Sequence, residues 1–513
     1  MTGGYPEPAR RTAITAFALF SVLMVTLDGT IAIIALPRIQ SALSASQEQI
    51  AWVLTSYLIA GAIGTPLSGW LADRFGRARI MALSVLAFTF SSLGCGLAWN
   101  LEVLVLFRFL QGLSGASLVP LSQVLLLDIN PPERHGPAIA WFGLGSLLGP
   151  MIGPTLGAWL TEYISWRWIF LINLPFGVVA FLGLFFFASG FDRPTPRRLD
   201  ITGFVMLSIA LTAFQLMLDR GQMLDWFSST EIWIEAVIAA LAGYLAAVHI
   251  FTTANPFIKP ATFRDNNYLI GMILSVVLGV FLNGVIPIVS ALMQQLLGYP
   301  VMLAGLLSLP RAVGNMLTIF VVGRLVSRVE PRLLIFAGML TLTVSLWLLV
   351  NLSLDARQET LGLVAFLQGC GSGMVFLPLT LVMFSTLPPA LRNEASTLAA
   401  LIRSLGGAAG ISVIQTLTIR STAAMQSQLV ENVRPDNPVV SWRAPDFQVF
   451  DPASVAGMMG EVSRQAAMVG YVQSFTLILA LAVVTAPLCL LLRVTPRGRA
   501  GEDSGPLPLV HAD

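Results

Sequence analysis

The stretch Gly143–Gly157, GLGSLLGPMIGPTLG, decides how this chain is read. It lies in an uncharged run from Ala138 to Leu160, long enough at about 1.5 Å per residue to cross a bilayer as a helix. Five glycines and two prolines in fifteen residues would ruin a helix in water, where an interior Gly costs about 1 kcal/mol and a Pro about 3. In lipid the same composition has a use. Gly145, Gly149, Gly153 and Gly157 recur every four residues and leave one bare stripe, on which a second helix can lie backbone to backbone. Pro150 and Pro154 free carbonyls of the preceding turn, so a bend is expected there. The segment reads as a hinge seam between moving parts; a merely well-packed span is the plainer alternative.

The rest of the chain has the same character. Of 513 residues, 56% are hydrophobic and 11% charged, and the mean hydropathy is +0.79, which excludes a soluble domain. The arginines are dispersed and the net charge is only +2, so no nucleic-acid partner is expected. Cys95, Cys370 and Cys489 lie in apolar runs at unrelated spacing, like small core residues. His135, His249 and His511 form no metal pattern, and no Ser/His/Asp or Cys/His grouping shares a depth. No metal, no cofactor and no intramembrane enzyme are expected. Lys259 is the single lysine, and it does not stand in the Gly-Lys-Ser/Thr context of a phosphate-binding loop, so energy must come from a source other than ATP.

Hydrophobic windows give fourteen candidate spans, near 12–36, 51–71, 80–98, 102–127, 137–160, 167–189, 200–219, 231–253, 268–295, 301–323, 333–350, 360–384, 396–419 and 470–492. The first is too long for a signal-peptide core and is kept as a span. An even count puts both termini on one side. That side then carries eighteen of the 29 basic residues, which makes it the cytoplasm.

The chain repeats itself. Phe109-Leu110-Gln111-Gly112 in span 4 recurs as Phe366-Leu367-Gln368-Gly369 in span 12, an offset of 257, which also carries Gly149 and Gly153 onto Gly406 and Gly410. At an offset of 254, Gly69-x-Leu71-x-x-Arg74 recurs as Gly323-x-Leu325-x-x-Arg328. Two homologous six-helix bundles, 1–190 and 261–493, are expected around two inserted helices in 191–260, with a binding site between the halves. Residues 421–469 read as a polar loop on the outer side, and 494–513 as a disordered tail.

Charges inside spans are few: Asp28, Arg108, Arg311 and Arg403, with Asp128, Asp219 and Arg220 near span ends. An ion in hydrocarbon costs at least about 2.5 kcal/mol, so each marks a candidate site. Asp28 and Arg108 sit at one depth, roughly 10 Å below the outer surface, and pair if spans 1 and 4 adjoin. A buried carboxylate takes up a proton when unpaired and releases it beside a guanidinium, so an Asp alternating between those states carries protons. The plainer alternative is a static ion pair. Gln111, Arg311, Gln368 and Arg403 are candidates for a substrate cavity. Between spans 2 and 3, Gly69, Asp73, Arg74, Gly76 and Arg77 lie in a loop whose glycines allow a tight turn, with Asp73 placed to cap a helix.

These residues carry a family resemblance. Gly69-Trp-Leu-Ala-Asp73-Arg74-Phe-Gly76-Arg77 resembles the hallmark loop of the major facilitator superfamily, Arg108-x-x-Gln111-Gly112 its span 4 motif, and Gly145-x3-Gly149-Pro150-x2-Gly153 the span 5 motif of its antiporters. Leu27-Asp28-x-Thr30-Ile31-x4-Leu36-Pro37 is similar to the first-span motif of fourteen-span drug:proton antiporters of the EmrB/QacA type. Trp166-Arg-Trp-Ile-Phe170-x-Ile172-Asn173-x-Pro175 and Leu218-Asp219-Arg220-Gly221-x3-Asp225-Trp226 resemble the EmrB group of Gram-negative inner membranes. The first-span motif departs at Ala32, Ile33 and Ile34, where the family has a polar middle, and Pro154 replaces a second glycine. The resemblance implies an all-α major facilitator fold exchanging protons for lipophilic small molecules across the bacterial inner membrane, with no enzymatic activity. It further implies a periplasmic adaptor and an outer-membrane channel as partners, the adaptor meeting Asp219, Arg220, Asp225 and Trp226 or the loop 421–469. For that outer segment Ser228 and Glu231 also fit a capping box of span 8. The competing function is proton-coupled uptake or export of one metabolite, which would not call for the Gly-Pro seam.

Overall fold

The computed structural model describes residues 5–131, 134–188, 199–253, 256, 258–326, 328–388, 391–433 and 451–493. The described residues are helical almost throughout, with no strand among them. The helices are α1 (Pro8–Ala42), α2 (Gln47–Phe75), α3 (Arg77–Gly96), α4 (Leu101–Gly115), α5 (Leu118–Ile129), α6 (His135–Tyr163), α7 (Trp168–Leu171), α8 (Asn173–Phe187), α9 (Ile201–Gly221) and α10 (Thr230–Thr252). They continue as α11 (Asn266–Gly279), α12 (Ile286–Ala291), α13 (Val301–Leu325), α14 (Pro331–Val350), α15 (Gln358–Ser385), α16 (Arg392–Asn432) and α17 (Pro452–Thr485).

Twelve of the described helical segments are long and apolar enough to cross a membrane, thirteen when the bent α6 counts as one span. The expected fourteenth, α2, is a 29-residue helix whose Thr55, Ser56, Tyr57, Thr65 and Ser68 dilute its apolar windows. Those polar groups face protein: Thr55, Ser56 and Ser68 are buried.

The glycine stripe finds its partner in α1. A Cβ at Gly145 would press on Leu19, at Gly149 on Thr26 and the Leu27 backbone, at Gly153 on Thr30, and at Gly157 on Ile31. Glycine is thus required for two backbones to approach this closely, as small residues permit in membranes. The bend is also where the prolines place it: His135–Pro150 and Thr155–Tyr163 meet at 41°. The other face of α6 meets α13, with Gly136 against Val326 and Gly143 against Ile319 and Phe376.

α3, α4 and α8 complete the packing around α1 and α2, while α13, α14, α15, α16 and α17 pack on one another and on α11. α5 and α2 touch α16, and α9 lies against both α2 and α16, with α10 packed on α9. The span begun by α11 is interrupted by π-helical turns at Val280–Val285 and Leu292–Leu296, whereas α1 is an uninterrupted 35-residue helix.

Two expectations are corrected. The stretch 421–469 is not a polar loop where it is described: α16 runs on to Asn432 and α17 begins at Pro452, N-capped by Asp451. The two helices pack together beyond the spans, Gln426 Nε2 donating to Ser463 Oγ at 3.1 Å. Ala, Met, Gln and Glu recur in both arms, and these residues favour helix whether or not they are apolar. The capping residue of α10 is Ser229, which accepts from Glu231 N, because Ser228 closes a 3₁₀ turn (Trp226–Ser228) begun at a left-handed Asp225. The expected tail 494–513, and 434–450 of the expected loop, lie outside the described residues.

Candidate functional site

A closed polar network lies among α1, α2, α3, α4 and α8. Asp28, Arg108, Gln111, Ser92 and Asn173 each have 0% exposure. Arg108 Nη1 donates to Asp28 Oδ2 at 2.7 Å and to Gln111 Oε1 at 2.8 Å. Gln111 Nε2 and Asn173 Nδ2 donate to Asp28 Oδ1 at 2.9 and 2.8 Å, and both also donate to Ser92 Oγ. Arg108 Nε donates to the carbonyl of Val53, and the guanidinium lies 4.1 Å from the centroid of Tyr57. Three donors on one carboxylate, one of them charged, make short hydrogen bonds that offset part of the desolvation of both ions, while Arg108 Nη2 is buried without a hydrogen-bond partner.

The local sequence explains the convergence. Arg108 and Gln111, three residues apart, share a face of α4. Gly112 lets α4 close on the backbone of Tyr57, since a Cβ there would overlap its carbonyl. The glycines of α6 bring the Thr26–Ile31 face of α1 inward on the opposite side. The pair expected between Asp28 and Arg108 is present; Asn173 and Ser92, which complete it, were not expected in this role. Ser92 has no signal in sequence beyond being a polar residue in an apolar run, whereas Asn173 stands in the Trp166–Pro175 motif, which gave it no role.

The loop between α2 and α3 turns at Gly76, whose φ of +98° is a conformation other residues rarely adopt. Asp73 is in the last turn of α2 rather than at a helix N-terminus, because the helix continues to Phe75; it lines a cleft with Gly69, Trp70, Glu394 and Thr397. Arg77 pairs with Asp128 of α5, and Arg74 lies over Trp70 and Phe75.

The expected cavity residues divide. Gln111 is taken up by the ion-pair network. Arg403 lines a small crevice with Gln123, Ser275, Phe376 and Thr380, its guanidinium 5.5 Å from the Phe376 ring. Arg311 Nη1, Gln368 Nε2 and Asn315 Oδ1 are buried without hydrogen-bond partners.

The expected outer contact residues are mostly engaged within the chain. Arg220 donates to Glu231 and Glu235, Asp225 pairs with Arg420 at 3.0 Å, and Trp226 Nε1 donates to Thr416 Oγ1 at 2.9 Å. Asp219 turns toward α2 and is hydrogen-bonded by Gln215 at 3.0 Å. Only Asp225 presents a largely exposed side chain, because α9 is wedged between two helices and its last turn faces protein.

Residues 18–411 match the Major Facilitator Superfamily. The chain is 33% identical over 456 residues to the probable multidrug resistance protein EmrY of Escherichia coli, covering 88% of each. It is 32% identical over 469 residues to the multidrug export protein EmrB of Haemophilus influenzae, covering 90% of this chain and 92% of that one. The fatty acid resistance protein FarB of Neisseria gonorrhoeae is 32% identical over 416 residues, 81% and 82% of the two chains. Among solved structures, the human organic anion transporter MFSD10 superposes with a TM-score of 0.59 at 15% identity, covering 93% of this chain and 100% of that one. The proton:xylose symporter XylE superposes at 0.57 and 14% identity, covering 94% and 99%. The sequence match over most of the chain and the shared helical architecture agree: this membrane-spanning chain belongs to the major facilitator superfamily, among its EmrB-type members.

Proposed function

We propose that the protein exports lipophilic small molecules of several kinds across the bacterial inner membrane in exchange for protons, its termini in the cytoplasm. The named relatives EmrB and EmrY are multidrug proteins, which supports the substrate range. One observation carries the coupling: the fully buried Asp28 carboxylate is held by Arg108, Gln111 and Asn173 in a place that water does not reach. A proton arriving on Asp28 removes the charge that holds Arg108, and loss of that proton restores it. The groups 1–190 and 261–493 rock against each other where α6 meets α13 and where α2 and α5 meet α16, the α1–α6 seam holding the first group together, and the inserted helices move with them. The driving force is adequate, at about 2.3 kcal/mol per charge per 100 mV and about 1.4 kcal/mol per pH unit.

Export further proceeds through a periplasmic adaptor and an outer-membrane channel. The lengths of α16 and α17 support this, since at 41 and 34 residues each outruns the roughly 20 residues that cross a bilayer. Asp28→Asn is expected to abolish proton-driven efflux from everted membrane vesicles while leaving the protein folded by size-exclusion profile. Efflux at the parent rate in that variant refutes the role.

A further inference from the structure

A second buried carboxyl has no place in the scheme above. Asp219 stands in the last turn of α9, and its Oδ2 is buried with no hydrogen-bond partner; Oδ1 accepts from Gln215 Nε2 at 3.0 Å. From α2, the Thr55 hydroxyl is within hydrogen-bonding reach of the carboxyl. No cation among the described residues pairs with it. The neighbouring Arg220 is spent on Glu231 and Glu235 of α10, and Arg420 of α16 on Asp225. Arg403 of α16 lies over Phe376, more than two turns from Ser412, the α16 residue that meets this end of α9.

The position is as telling as the isolation. Val53 and Tyr57, four residues apart on one face of α2, hold Arg108 through a carbonyl and a ring. Thr55 is two residues on, about 200° around the helix, and so faces the other way. One turn of α2 therefore has the Asp28–Arg108 pair on one side and Asp219 on the other. On its far side α9 is fastened to α16, Ser412 Oγ donating to the Leu218 carbonyl at 2.9 Å and Trp226 to Thr416.

We propose that Asp219 is a second proton-exchanging carboxyl, linked to the Asp28–Arg108 pair through the Val53–Tyr57 turn of α2, and that this is what the inserted helices contribute to transport. The inference rests on the proton-coupling reading of Asp28. As an anion the group would sit with the Gln215 amide and the Thr55 hydroxyl as its neutral neighbours and no counter-ion, which is costly in hydrocarbon. As the neutral acid it fits where it is. Release of the proton to water therefore goes with movement of α9 against α2, and any such movement displaces the turn that holds Arg108.

The test is infrared difference spectroscopy of the full chain in lipid vesicles during a pH titration, with the proton as the probe. The wild type is expected to show two carboxylic-acid carbonyl bands that titrate; Asp219→Asn loses one, Asp28→Asn loses the other, and Asp219→Glu keeps a band at a shifted frequency. A spectrum of Asp219→Asn identical to wild type overturns the proposal while leaving Asp28 intact. Loss of a band in Asp219→Asn with none lost in Asp28→Asn instead overturns the reading of Asp28. Retention of the Asp219→Glu band separates proton exchange from a folding defect.

Discussion

The two halves of the molecule share a backbone and differ in what it encloses. Gly149 and Gly153 lie against Thr26 and Thr30 of α1; Gly406 and Gly410 lie against Val276 and Val280 of the α11 span. The offset between those partners is 250 residues, and it places Leu278 where the first half has Asp28. Likewise Gly112 closes on the backbone of Tyr57 and Gly369 on that of Arg311, so the offset of 257 places Ala365 where the first half has Arg108. Among the described residues the close-packed glycine contacts occur twice and the fully buried ion pair once. Leu278 and Ala365 are buried, so the second half has solved the same packing problem with apolar side chains. The lesson is that the glycines belong to the architecture and the charges do not.

The comparison breaks most visibly if the second half's residues are moved into the first. Asp28→Leu with Arg108→Ala copies Leu278 and Ala365, and efflux driven by acidification is expected to fall to that of empty vesicles. Thermal unfolding in detergent should nevertheless stay near the parent, whereas Arg108→Ala alone strands a buried carboxylate and costs about 3–5 kcal/mol. A double variant as unstable as the single would mean that the pair is structural. Next in size, Gly149→Val and Gly406→Val are each expected to cost about 1–3 kcal/mol by overpacking, in equal measure. A large inequality, read from the same unfolding curves, would show the two seams to be unlike.

Smaller effects sharpen the contrast. Asn173→Leu removes a donor from a buried carboxylate and is expected to cost about 1–3 kcal/mol. Asn315→Leu removes a donor from the neutral Ser372 hydroxyl rather than from a carboxylate and should cost clearly less. Arg77→Ala opens a half-exposed pair with Asp128 and is expected to cost about 0.2–1 kcal/mol, a difference that disappears when unfolding is repeated at high salt.

Much of this was legible in the chain because lipid restricts what a sequence can mean. Charges are so few within the spans that Asp28 and Arg108 could be matched by depth alone, and the four-residue glycine period named a seam before its partner was known. Asn173 and Ser92 were not assigned because uncharged polar residues are common in spans and carry no sign to match. Asp219 was expected at an outer surface and faces α2 instead, since one residue of helical register separates those directions and span ends cannot be read to one residue. The helical arms of 421–469 were missed for a different reason. Hydropathy reports solvent preference, and there it was mistaken for lack of structure.

The 41-residue helix α16 measures about 60 Å, twice the apolar thickness of a bilayer. A rod that long behaves as a lever with its fulcrum in the membrane: a slight tilt at Gly406 becomes a wide sweep at Asn432. Whatever rests on the hairpin would be told, mechanically, which stage of the cycle the buried helices have reached.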